Sequence, residues 1–215
     1  MNYNWIYYAI GTVITVALIQ IVLTKVNFSK EARRRLQHAV TGQLLIGISY
    51  VLPQAVCKAT LLAGIILVIY VFHFHTDLYQ QTFGPLLRES ERDRLPGAFW
   101  FLVGTFCTAI CFDIEIGRYA VLCLSYSDPI AAWVGSSIKS PRIIGTASLA
   151  GCIACFGTAT LIGVLTLKSK WEIMAGALTC TIAESLPYSN DNLMIPLMTA
   201  SIIQILRTKS EDFKI

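Results

Sequence analysis

Long apolar runs separated by short polar breaks dominate the chain. They fall at residues 5–24, 39–56, 59–76, 97–112, 119–138, 143–167, 171–186 and 193–206. A helix that crosses a bilayer needs about 20 such residues, so the pattern predicts about 7 to 8 spanning helices. The runs at 97–112, 171–186 and 193–206 are short, which leaves room for a re-entrant segment. Irregular backbone cannot face hydrocarbon, because its N–H and C=O groups would go unpaired. The predicted fold is therefore all-α: a polytopic transmembrane helical bundle forming a single integral membrane domain over residues 1–215, its first helix within 1–24. Gly42, Gly47, Gly64, Gly104, Gly151, Gly157 and Gly163 suit close helix packing. No internal repeat stands out.

Two polar islands interrupt this pattern. The stretch Ala183–Pro196, AESLPYSNDNLMIP, holds Glu184, Asp191 and Asn192 between two apolar runs. Carboxylates near membrane depth are costly and tend to mark sites. Pro187 and Pro196 are expected to break helix and Ser189–Asn190 to turn, so one helix should end near Pro187 and the next restart near Asn192. Two acids and an amide at such a corner can hold a divalent cation through hard oxygens. The same residues also read as a capped inter-helix turn. The second island, Ser125–Asp128, sits inside the run 119–138, where capping does not explain an aspartate.

Composition agrees with a membrane chain: of 215 residues, 55% are hydrophobic and 14% charged, with mean hydropathy +0.61. Soluble domains carry about 25% charged residues. The net charge of +4 is spread out, which speaks against a nucleic-acid partner. Seven cysteines lie mostly inside apolar runs, so Cys152 and Cys155, despite CxxC spacing, are expected to be buried thiols. The N-terminal run has no basic flank or cleavage site, so it reads as a helix and not a signal peptide, and no organelle-targeting segment is evident.

Cations orient the bundle. With the first helix coming from outside, the segments 25–37, 77–96, 136–142 and 187–191 share one side and hold Lys25, Lys30, Arg33, Arg34, Arg35, Arg88, Arg92, Arg94, Lys139 and Arg142. The opposite turns hold Lys58, Arg118, Lys168 and Lys170. The positive-inside rule makes the first set cytoplasmic; Arg207, Lys209 and Lys214 then fall on the other side, against the rule. Cations and carboxylates at one membrane face suit phosphoryl transfer, where metal neutralises phosphate charge and basic side chains stabilise the transition state. No Walker A or kinase glycine-rich loop is present.

Arg34 and His38 are four apart and share a helix face in Arg34-Arg35-x-x-His38-x-x-x-Gly42, which also reads as a basic juxtamembrane signal. His73, His75 and Asp77 do not align on one face, so they are read as interfacial and not metal-binding. Asp113, Glu115 and Arg118 read as a solvated turn, and RESERDR (88–94) as a solvated loop ahead of an aromatic-rich interfacial helix start.

In order along the chain, these motifs resemble the membrane family of CTP-dependent lipid kinases, which includes yeast-type diacylglycerol kinase, dolichol kinase and phytol kinase. The resemblance covers about 33–206. It rests on the Arg34–Gly42 motif, on FGPLLRESERDRLPGAFWFLVG (83–104), on LSYSDPIAAWVG (124–135), on SLAGCIACF (148–156), and on Glu184 followed by Asp191-Asn192-Leu193-x-x-Pro196. It implies transfer of the CTP γ-phosphoryl group to the hydroxyl of a membrane lipid alcohol, with a divalent cation, Mg²⁺ or Ca²⁺. Diacylglycerol is the favoured acceptor, giving phosphatidate. Asp128, Glu184 and Asp191 would serve metal and hydroxyl activation, with Asp128 as general base. Arg34, Arg35, Lys139 and Arg142 would bind phosphates, oriented by His38 and Asn192. Two positions depart from the family pattern: Ala147 stands where a lysine precedes S-L-x-G, and Ser136 where a basic residue follows the glycine of the aspartate motif. Dolichol or phytol kinase, a CDP-lipid-forming cytidylyltransferase and a non-catalytic family member are the alternative readings. The expected location is a multi-pass membrane, the endoplasmic reticulum for a eukaryotic source, with plastid and bacterial inner membranes also compatible.

Overall fold

The computed structural model describes residues 7, 10, 11, 14, 15, 18, 22, 28–84, 87, 94–187 and 190–212, with backbone alone at 82, 211 and 212. Most of the first predicted helix lies outside the described residues, as do Arg88 and Arg92 of the mixed-charge segment and Tyr188 and Ser189 of the polar corner. Every long element is a helix, as the apolar runs predict. The chain divides into two compact units, Met1–Phe106 and Cys107–Ile215.

In the first unit, Ser29 starts α1 (Lys30–Val51), its hydroxyl accepting the Ala32 N–H at 3.2 Å. Arg34, Arg35 and His38 therefore stand near the start of a helix, as their spacing predicts, and that helix begins earlier than the apolar run at residue 39. Pro53 ends α1, because its ring holds the preceding Leu52 extended (ψ 149°). It also starts α2 (Gln54–Phe74), so the predicted break between 56 and 59 falls earlier. Leu61, Ile65 and Val68 are the buried face of α2, spaced by four and three. Ile65 and Val68 form a cluster with Phe99, against which Leu102, Val103 and Phe106 pack. The short α3 (Thr76–Phe83) occupies part of the predicted 77–96 loop, and α4 (Gly97–Cys111) follows the described Arg94.

In the second unit, α5 (Ile114–Leu122), a π-helical segment (Cys123–Ser127) and α6 (Asp128–Ser137) run on without a break. Pro129 explains the π segment. Inside a continuous helix its ring would clash with the carbonyl four residues back, and widening the turn relieves the clash. A two-stranded antiparallel hairpin follows, β1 (Arg142–Ile144) and β2 (Ala147–Ser148), turning at Gly145 with φ +51°. Its five strand residues are the exception in an otherwise helical fold. The run 143–167 is hairpin before it is α7 (Leu149–Thr166). Then come α8 (Lys170–Ser185) and α9 (Asp191–Asp212), the restart falling where predicted. Pro196 does not break α9. It is fully buried one turn and a half inside the helix, where it withholds one N–H from the ladder.

α7 packs against α6 and α8, and α9 against α8 and α5. The core forms around Tyr119, whose hydroxyl donates to the Ala159 carbonyl at 3.2 Å. A β-carbon on Gly163 would lie 3.3 Å from the Tyr119 ring, and one on Gly176 only 2.7 Å. Gly163 and Gly151 pack closely as expected, whereas Gly47 and Gly157 have open space beside them. All seven cysteines are free, and Cys155 lies 3.8 Å from Cys180, not paired with Cys152.

At one end of this unit Arg207 grips Glu172 with two hydrogen bonds, 2.7 and 3.1 Å, and Glu115 at 3.1 Å, with Asp113 at 3.9 Å. Glu115 and Asp113 thus join a charge cluster at a turn that leaves both side chains exposed. The three acids sit at helix N-termini, where the helix dipoles favour them. Among the described residues two helices, α2 and α7, are long and apolar enough to cross a membrane, and 17% and 22% of their apolar windows are buried. The core helix of a soluble protein would be mostly buried.

Candidate active site

The site in the second unit grows from a close crossing of α6 and α7. A β-carbon on Gly135 would stand 3.4 Å from the Gly151 Cα and 2.8 Å from the Ser148 hydroxyl, and one on Gly151 would stand 3.0 Å from the Ala131 carbonyl. Only glycines allow this approach. It brings the S-D-x-x-A-x-x-x-G and S-L-x-G motifs onto one another, and beside them opens a cavity of about 190 Å³. Gly135, Ser136, Arg142, Ala147, Ser148 and Glu184 are among its lining residues.

Glu184 comes from the last turn of α8, with Ser185 fixed beside it by a 2.8 Å bond to the Thr181 carbonyl. It lies within electrostatic reach of Asp128 and Asp191. Asp128 and Asp191 stand outside the cavity lining. Asp128 heads α6 immediately after the π segment, whose Ser125 hydroxyl bonds back to the Val121 carbonyl at 2.7 Å. The adjacent Ser127 hydroxyl is buried with no hydrogen-bond partner, the kind of cost, about 1–3 kcal/mol, that functional sites tolerate. Asp191 heads α9, where the helix dipole favours a carboxylate. Asn190 caps this helix, its carbonyl accepting from Leu193 and Met194 at 2.9 and 2.8 Å, and Asn192 is buried.

The N-terminus of α7 also reaches the cavity, yet it offers no free donors in its first turn. The N–H of Leu149 bonds to the Pro141 carbonyl, that of Ala150 to the Ser140 hydroxyl and that of Gly151 to Ser148, at 2.9, 3.0 and 3.2 Å. An anion in this cavity must therefore be met by side chains. Among the described lining residues the one cation is Arg142, tethered by a hydrogen bond from Nη1 to the Thr146 carbonyl. The two family departures, Ser136 and Ala147, both lie on this same wall. Lys139 is exposed and not among the lining residues.

Arg34, Arg35 and His38 belong to the first unit. Glu31 Oε1 receives Arg34 at 2.8 Å and Arg35 at 3.1 Å. His38 is buried and rests 5.2 Å from the Phe101 ring, beside a small cavity of about 20 Å³ that Arg34, Gln37 and Gly97 help line. Among the described residues no three His, Cys, Asp or Glu side chains converge as a ready cage for a metal ion. The donor set of the acidic corner fits a different arrangement. Mg²⁺ keeps several waters and takes one or two carboxylates together with substrate phosphates.

No protein-family profile matches the chain, and no solved structure is significantly similar to it. Two curated proteins are similar. CTP-dependent diacylglycerol kinase 1 of Schizosaccharomyces pombe is 27% identical over 149 residues, covering 60% of this chain and 68% of that protein. CTP-dependent diacylglycerol kinase 1 of Saccharomyces cerevisiae is 32% identical over 95 residues, covering 43% of this chain and 31% of that protein. The chain thus spans about two thirds of the length of one relative and about a third of the other. These matches bear out the resemblance drawn from the motifs.

Proposed function

We propose that the chain, similar to CTP-dependent diacylglycerol kinases, is an enzyme of phosphoryl transfer that moves the γ-phosphoryl group of CTP to the hydroxyl of diacylglycerol, giving phosphatidate and CDP. The observation that carries this reading is the cavity that Glu184 and Arg142 both line, built where two of the motifs cross. The apolar runs and the barely buried α2 and α7 support a polytopic bundle in a membrane, where such a lipid resides.

Phosphoryl transfer asks mainly for positioning and charge. Arg142 meets the nucleotide phosphates on the cavity wall. Asp128 accepts the proton of the lipid hydroxyl as that oxygen forms its bond to phosphorus and the bond to the departing CDP breaks. Glu184 and Asp191 supply oxygen ligands to a divalent cation, Mg²⁺ or Ca²⁺. When bound, that cation neutralises phosphate charge. Buried Asn192 orients the corner. Phosphate binding by Arg34 and Arg35, with His38 orienting, rests on the shared R-R-x-x-H motif.

The test is incubation of the purified protein with γ-labelled CTP, magnesium or calcium, and diacylglycerol, beside Asp128→Asn. Labelled phosphatidate that vanishes in the variant is expected. A folded protein that labels no lipid with CTP, UTP or ATP would overturn the reading.

A further inference from the structure

The hairpin is the part of the site that helix packing does not explain. No residue of β1 is buried. Ile138, Ile143, Ile144 and Leu149 are 55%, 52%, 46% and 42% exposed, and Trp133 on α6 is 66% exposed. Five large apolar side chains within seventeen residues are thus left uncovered, with exposed Lys139 among them. Water is a poor partner for this surface, and so is hydrocarbon. A two-stranded hairpin carries unpaired edge N–H and C=O groups that cannot be sunk into acyl chains. The boundary between headgroups and acyl chains satisfies both demands, and there a tryptophan and a lysine are also at home.

The other side of the same hairpin is the cavity wall. Thr146, Ala147 and Ser148 line it with Glu184. The turn is seated on the acidic corner, since a β-carbon on Gly145 would lie 3.2 Å from Pro187. The hairpin therefore has an apolar, cationic outer face and an inner face that opens on a carboxylate.

We propose that residues 138–149 form a lipid-facing lip. Ile143 and Ile144 seat in the interfacial layer of the bilayer and Lys139 meets lipid phosphate. A lipid alcohol then passes sideways over the hairpin to bring its hydroxyl to the Glu184 cavity. The passage of a lipid alcohol rests on the kinase reading; the contact with the bilayer does not.

The experiment has two arms. In the first, the photoreactive residue benzoylphenylalanine replaces Ile144, and separately the buried Ile116, in the full chain. The protein is reconstituted in phosphatidylcholine–phosphatidylserine vesicles with radiolabelled acyl chains. Illumination should attach labelled lipid at 144 and not at 116, and a hairpin that acquires no lipid would overturn the proposal whether or not the protein proves to be a kinase. In the second arm, Ile143→Asp/Ile144→Asp is assayed with diacylglycerol and CTP. The KM for diacylglycerol should rise about ten-fold with the KM for CTP unchanged. An unchanged lipid KM, or an equal rise in both, would contradict a lip that serves the lipid alone. Should the parent chain label no lipid, the first arm alone decides the contact.

Discussion

A β-carbon on Gly151 would stand 3.0 Å from the backbone carbonyl of Ala131. Because the neighbour is backbone, it cannot swing aside as a side-chain end would. Gly151→Ala should therefore push α7 off α6, costing about 1–3 kcal/mol as overpacking does. A lower thermal midpoint in detergent, together with a raised KM for CTP, is expected. An unchanged midpoint would show that the crossing has slack.

Glu184 shares its surroundings with two other acids, and each is assigned an oxygen that the reaction needs in its charged form. Asp128→Asn and Glu184→Gln keep the shape and remove the charge. Each should lower kcat by roughly 10²–10⁴-fold, the usual worth of a positioned acid–base group or charge, with the thermal midpoint held. Loss of less than five-fold in either would remove that residue from the machinery.

Arg142 is the one cation among the described residues lining the cavity, and Ala147 faces the same space. A charge-assisted hydrogen bond contributes about 1.5–3 kcal/mol, so Arg142→Ala should raise the KM for CTP by roughly 10- to 100-fold. Ala147→Lys restores the basic residue of the family pattern on that wall. It should lower the KM for CTP and partly rescue Arg142→Ala. Failure of the lysine to rescue would mean that Arg142 acts through the hairpin's shape and not its charge.

At the other end of the second unit, Arg207 ties α9 to α8 and α5 through Glu172 and Glu115. Arg207→Met leaves Glu172 nearly buried without its partner. Thermal unfolding should register a loss of about 2–3 kcal/mol, in line with hydrogen bonds to charged groups. A midpoint within error of the parent would make the cluster a surface feature.

The helices were legible because their apolar runs are long, and the acidic corner because Glu184, Asp191 and Asn192 interrupt them. The hairpin was not, since Ile143 and Ile144 read as the start of the apolar run that becomes α7; the signal was Gly145-Thr146, a turn pair inside it. Pro53 was legible in principle as a helix break, and Pro196 misled because a buried helix tolerates one missing N–H. The Arg207 cluster joins residues about ninety positions apart, a pairing that only the packing of α5 on α9 creates. Gly135 and Gly176 carry close contacts for reasons no local pattern contains, because what fills their space comes from other elements of the fold.

The central claim is the fate of the CTP phosphorus atoms. Diacylglycerol should be offered with CTP labelled at the α position in one reaction and at the γ position in another. The account predicts label in the lipid from γ-labelled CTP alone, with CDP released. Label in the lipid from α-labelled CTP, with pyrophosphate released, would contradict it and make the chain a cytidylyltransferase.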